Sequence, residues 1–96
     1  MKPSDLLNLY RNQVRDIALR HRVTSVKVFG SVLHGDDTEG SDLDLLVEPT
    51  SQTTMFDIGG IQFEVSELLG INVDVLTPRA LPELFRASVM AEAQAL

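Results

Sequence analysis

Three aspartates sit where apolar strands are expected. Asp42 and Asp44 flank Leu43 in Ser-Asp-Leu-Asp-Leu-Leu-Val-Glu, and Asp74 interrupts Ile71-Asn72-Val73-Asp74-Val75-Leu76. Side chains two positions apart on a strand point to the same face, so Asp42 and Asp44 stand side by side. Carboxylates that close resist joint ionisation. A divalent cation removes the conflict, and an all-oxygen site suits Mg²⁺ or Mn²⁺. Alternation places Val73 and Val75 on one face of the later strand and Asn72, Asp74 and Leu76 on the other. Asp74 is therefore expected on a neighbouring strand, facing the same crevice as Asp42 and Asp44. A buried, unpaired carboxylate costs several kcal/mol, so charges placed among aliphatics point to a ligand rather than to packing.

Gly30-Ser31 lies upstream, with ten residues between Ser31 and Asp42. Glycine lets the backbone come close to a ligand. Ser31 to His34 can form one helical turn closed by Gly35, and the free N–H groups at its start attract anions such as phosphate. Two carboxylates on one strand and a third on its neighbour can hold two cations. Such a pair of metals stabilises both the attacking and the leaving oxygen of an in-line phosphoryl displacement. A phosphate cradle beside a three-carboxylate cluster points to a nucleoside triphosphate. Asp36, Asp37 and Glu39 read as a solvated turn, and Glu48 as the end of a strand. Lys27, Arg11 and Arg15 are the cations within reach of such a site, and the sequence does not choose among them.

The elements that must position these residues follow from periodicity. Leu6, Tyr10, Val14, Ile17 and His21, widened by Leu7 and Ala18, mark an amphipathic helix over 4–21 with Ser4 as its N-cap. Thr24 to Phe29 is a β-branched and aromatic strand ended by Gly30. Asp42 to Val47 is the second strand. Met55 to Leu69 is a helix with the apolar stripe Ile58, Ile61, Val65, Leu68 and Leu69, a capping box from Thr54 and Asp57, and Gly70 just past its end. Gly59-Gly60 inside it costs about 1 kcal/mol per glycine against Ala. Either the first turn frays or the backbone there approaches a strand or a ligand closely. Ile71 to Leu76 is a third strand, and Pro82 starts a last helix to about Ala95, with Leu84, Phe85 and Val89 on one face. The order α-β-(short α)-β-α-β-α predicts an α/β domain with a small mixed sheet flanked by helices.

Composition narrows the classes. The 96 residues make one domain, 1–96, with 44% hydrophobic residues and no Cys, hence no disulfide and no thiolate metal site. A formal net charge of −6 argues against direct nucleic-acid binding. The N-terminus lacks the apolar core of a signal peptide, and no run approaches the ~20 apolar residues that cross a bilayer. The expectation is a soluble cytoplasmic protein without a membrane partner.

Gly30-Ser31, ten residues, Asp42-x-Asp44 and a later Asp74 within an apolar strand resemble the DNA polymerase β-like nucleotidyltransferase superfamily. Within it, the size and the block Gly-Ser-x-x-x-Gly…Ser-Asp-Leu-Asp-Leu-Leu-Val-Glu resemble the minimal nucleotidyltransferases, the antitoxins of HEPN–MNT toxin–antitoxin pairs. The resemblance implies the nucleotidyltransferase fold. It also implies that Gly30 and Ser31 grip the triphosphate, that Asp42 and Asp44 ligate two Mg²⁺ (or Mn²⁺) ions, and that Asp74 ligates the catalytic one and helps deprotonate the attacking hydroxyl. It further implies transfer of AMP from ATP to a tyrosine of a cognate HEPN ribonuclease toxin, with which the chain forms a complex. Val32 and His34 stand where many relatives carry arginine. They leave open a second reading, an antitoxin that neutralises its toxin by binding alone.

Overall fold

The structure is a computed structural model and describes residues 1–96. Helix α1 (Pro3–Leu19) leads into β1 (Val23–Phe29), the short α2 (Gly30–His34) and β2 (Leu43–Pro49). Helix α3 (Met55–Leu69), β3 (Val73–Leu76), a 3-10 turn (Pro78–Ala80), α4 (Glu83–Glu92) and the two-residue β4 (Gln94–Ala95) complete the chain. The sheet order is β3-β2-β1-β4, with β1 antiparallel to β2 and β4, and β2 parallel to β3.

One face of the sheet carries the core. Leu43, Leu45 and Val47 of β2 are fully buried beneath Leu7, Val14 and Ala18 of α1 and Ile61, Val65 and Leu69 of α3. The opposite face carries the alternate residues Lys27, Phe29, Asp44, Leu46, Asp74 and Leu76. Of these only Leu46 is buried, at 4%, and like the buried Leu81 it lies outside the main core cluster. The crossovers explain this division. The chain moves outward from β2 to β3 through α3, then back across the sheet to β4 through α4. Right-handed connections running in opposite directions put their helices on opposite faces. Helices α1 and α3 therefore cover one side, and the crossover that contains α4 runs on the other.

The capping box of α3 forms as expected, with Asp57 N–H donating to Thr54 Oγ1 and Thr54 N–H to Asp57 Oδ2. Gly70 closes the helix in the left-handed region at φ 69°. Gly60 is explained by close approach, to a side chain. The His21 ring lies on it, so that a Cβ would come within 2.6 Å of the ring Cε1. His21 Nδ1 faces Asp57 at 3.8 Å and its Nε2 bonds Glu64. The threonines of the β2–α3 loop have a partner too. The hydroxyls of Thr50 and Thr53 donate to the carbonyl of Arg22, a residue held at φ 64° between α1 and β1.

Three expectations are corrected. Ser4 is inside α1 and does not cap it. Its N–H donates to Asp37 Oδ2 at 2.8 Å, so the cap comes from a residue 33 positions away. Asp37 is accordingly not a solvated loop residue, being 5% exposed with Oδ1 unpartnered. The last helix ends at Glu92, because the chain turns into β4 to pair with Lys27 and Val28.

Burial pushes the Asp37 carboxyl up. Hydrogen bonds from Ser4 and from its own backbone N–H, with the charge of Lys2, more than offset that and hold it below the ordinary 3.8. The stabilisation from a carboxylate lowered in the folded state is fully present above its unfolded value and is lost as pH falls through the folded one. Asp37→Ala is expected to cost about 1 kcal/mol at neutral pH, as for other helix caps, in urea denaturation. The gap from wild type should close as the pH is taken down through the acid range below 3.8.

Candidate active site

The end of β1, the start of β2 and the start of β3 meet at one end of the sheet. Asp44 pairs with Phe29 on one side and with Asp74 on the other. Partners in register share a face, so Asp44 and Asp74 stand abreast, and Asp42 lies two positions earlier along the same chain. Alternation predicts the Asp44–Asp74 pair, but Asp42, expected as the first residue of the strand, lies in the loop just before β2. Asp42 and Asp74 are exposed, while Asp44 is half-buried between them.

Gly30 is required here for two reasons. Its φ is 75°, in the left-handed region, and a Cβ would collide with Asp44 Oδ2. The strand-to-helix turn thus folds directly onto the middle carboxylate. Helix α2 is pinned from below by Val32, 9% exposed in the core, and closed by Gly35 at φ 74°. Ser31 sits at its first turn, half-buried, with its carbonyl accepting from Asp36 N–H at 2.9 Å.

Burial, then the charges of Asp74 and Asp42, push the Asp44 carboxyl up from 3.8 to about 6. No Lys, Arg or His side chain is ion-paired with any of the three aspartates. No three His, Asp or Glu side chains are gathered tightly enough to form a ready metal cage. The chemistry of the three side chains, all hard oxygen donors, is of the kind a divalent cation takes.

Among the candidate cations, Lys27 shares the aspartate face, one alternate position along β1 from Phe29. Arg11 and Arg15 belong to α1 on the other layer, where they donate to Asn8 and Asn12, each at 3.2 Å. His34 is exposed but not free, since its Nε2 meets Glu92 at 2.9 Å. Nothing in the sequence signals that contact between residues 58 positions apart. A groove of about 500 Å³ opens where the β2 and β3 starts meet the end of α3, lined among others by Ser41, Asp42, Glu67 and Asn72. Asp44 and Asp74 lie beyond its rim on the open face.

This strand–glycine–turn and Asp-x-Asp arrangement has known counterparts. Residues 9–96 match the nucleotidyltransferase domain family, and the chain belongs to it. It is a nucleotidyltransferase enzyme. A solved minimal nucleotidyltransferase superposes with a TM-score of 0.86 at 36% identity, covering 97% of this chain and 95% of that one. A relative from Methanocaldococcus jannaschii, named as a protein adenylyltransferase, is 32% identical over 91% of this chain and 94% of its own length. A toxin–antitoxin structure with AMP-PNP shares the fold, with a TM-score of 0.65 at 16% identity, over 97% of this chain and 71% of that one.

An acid raised in the folded state keeps a proton that the unfolded chain has released, so it costs stability as pH rises. Between pH 3.8 and about 6 stability should fall, by on the order of 1 kcal/mol after discounting for the half-exposed site. Asp44→Asn should remove that part of the slope. Urea melts of both proteins across this pH range check it.

Proposed function

We propose that this chain is a single minimal nucleotidyltransferase domain, residues 1–96, acting in the cytoplasm as an antitoxin. It transfers AMP from ATP to a tyrosine of a cognate HEPN ribonuclease toxin and so neutralises it. The observation that carries the reading is Asp44 set in register with Asp74, beside Asp42 and beneath the Gly30 turn. The relatives named as protein adenylyltransferases support a protein acceptor, and the neighbour with AMP-PNP supports a toxin partner and an adenine nucleotide.

In this reading Gly30 and Ser31 lie against the triphosphate, and Asp42, Asp44 and Asp74 hold Mg²⁺ or Mn²⁺. When bound, two such ions supply charge neutralisation at the attacking and leaving oxygens. Asp74, exposed on the edge strand β3, faces an incoming hydroxyl. It takes the tyrosine proton as the tyrosine oxygen bonds the α-phosphorus and the bond from that phosphorus to pyrophosphate breaks. Asp44, raised to about 6 by its neighbours, is the member whose ionisation most needs a cation.

A second reading, neutralisation by binding alone, draws on Val32 buried in the core and His34 engaged by Glu92, which leave no guanidinium at the phosphate turn. Intact-mass measurement of the toxin after incubation with the chain, ATP and Mg²⁺ separates the two. The expected result is a toxin heavier by whole AMP groups; an unmodified toxin in a stable complex would favour the second reading. Asp74→Asn should slow single-turnover transfer by at least about 10²-fold, the lower end of general-base contributions, with ATP binding only modestly weakened. Mg²⁺-ATP at 100 times its dissociation constant should stabilise the fold by about 2.7 kcal/mol. Superimposable melts with EDTA and with millimolar Mg²⁺-ATP would count against a nucleotide site.

A further inference from the structure

We propose that the outward face of α4 is the docking surface for the protein that accepts the nucleotidyl group. This rests on the proposed transfer to a protein. Leu84, Phe85 and Val89 share one face of α4, yet no residue of α4 is buried, and Leu84, Phe85 and Met90 are 86%, 56% and 38% exposed. The helix is held by polar contacts at both ends instead. Arg86 donates to the carbonyls of Pro78 at 2.9 Å and Leu81 at 3.0 Å, and Glu92 meets His34 at 2.9 Å. A helix fixed in this way, with its large apolar residues turned to solvent, presents a surface rather than a core. Ala87, Ser88 and Ala91 are exposed beside Leu84 and let another backbone come close.

Position and size select the occupant. The right-handed crossover from β3 to β4 puts α4 on the aspartate side of the sheet, so a body resting on α4 would reach toward Asp44 and Asp74. The apolar patch of α4, three partly exposed side chains of at most about 150–250 Å² each, falls short of the ~800 Å² per partner of a standard interface. The occupant must also cover the aspartate row, as an acceptor does and as a second copy resting helix on helix does not. Charge agrees. Glu83 and Glu92 bracket the helix and the chain carries −6, so two copies repel while a partner with Lys or Arg around an apolar centre is steered in. The exposed Met55, Phe56 and Phe63 of α3 lie on the opposite layer and cannot bring an acceptor to Asp44.

The test uses the cognate toxin of the proposed reading. Leu84→Glu and Ala87→Arg alter only exposed positions, and Phe56→Ser is the control on the other layer. Toxin binding is measured by calorimetry in an Asp44→Asn background, so that it does not depend on transfer. Each α4 variant is expected to weaken binding at least tenfold. In the otherwise wild-type chain each should raise the toxin concentration for half-maximal AMP transfer by a similar factor, leaving the thermal shift with Mg²⁺-ATP unchanged. Phe56→Ser should change none of these. Unchanged toxin affinity in the α4 variants, or a loss confined to Phe56→Ser, overturns the docking surface. Tenfold weaker binding in a chain that transfers no AMP upholds the surface and rejects the transfer.

Discussion

The repulsion among Asp42, Asp44 and Asp74 is the constraint around which the domain is built. A strand that carries charge on one face stays in place only if its other face is held firmly. Strand β2 meets this with Leu43, Leu45 and Val47, all at 0% exposure, interleaved with the acidic positions. Slipping β2 by one residue would turn these aliphatics out and the aspartates into the core. The same alternation that buries the core thus fixes the direction of the carboxylates. Parallel pairing with β3 then sets the third one abreast, and the turn at Gly30 is possible only because that residue has no Cβ to meet Asp44.

This explains why the placing of Asp44 and Asp74 on one face was legible in the sequence. Alternation in β2 and β3 is a local, period-two property, and the acidic residues break it visibly on one face only. The capping box of α3 and the glycines after α2 and α3 are equally local. What escaped depends on contacts across the fold. Asp37 looks like any turn aspartate until the N-terminus of α1 is brought to it over 33 positions. Gly60 looks like a weak point in a helix until the His21 ring is placed on it. In α4 the spacing of Leu84, Phe85 and Val89 reports a shared face and not what that face meets, and the fold leaves Leu84 and Phe85 in solvent. Strand β4 is two residues long and exists only because the β1 edge is free to pair.

The two sheet faces divide the work between stability and function. The face under α1 and α3 buries nearly all the large aliphatics of the sheet, and there a methylene lost would leave a cavity. The other face buries Leu46 and Leu81 and leaves the aspartate row open. Substitutions on the open face should accordingly be cheap in folding terms, and removing a repelling carboxylate relieves the folded state.

Scarce positive charge at this end governs how any polyphosphate would be held. Beside the phosphate-facing turn, Val32 faces the core and His34 is engaged by Glu92. Lys27 is the one Lys or Arg on the strand positions of the aspartate face. The chain as a whole is negative, at −6. A nucleotide approaching alone would meet three carboxylates and little to offset them. Coulomb repulsion between like charges a few ångströms apart reaches several kcal/mol at the effective dielectric of a protein surface. On the proposed reading, binding of nucleotide and of divalent cation are therefore strongly coupled. The cation relieves the repulsion that raises Asp44 and neutralises the phosphate in the same place, so each ligand should bind weakly without the other.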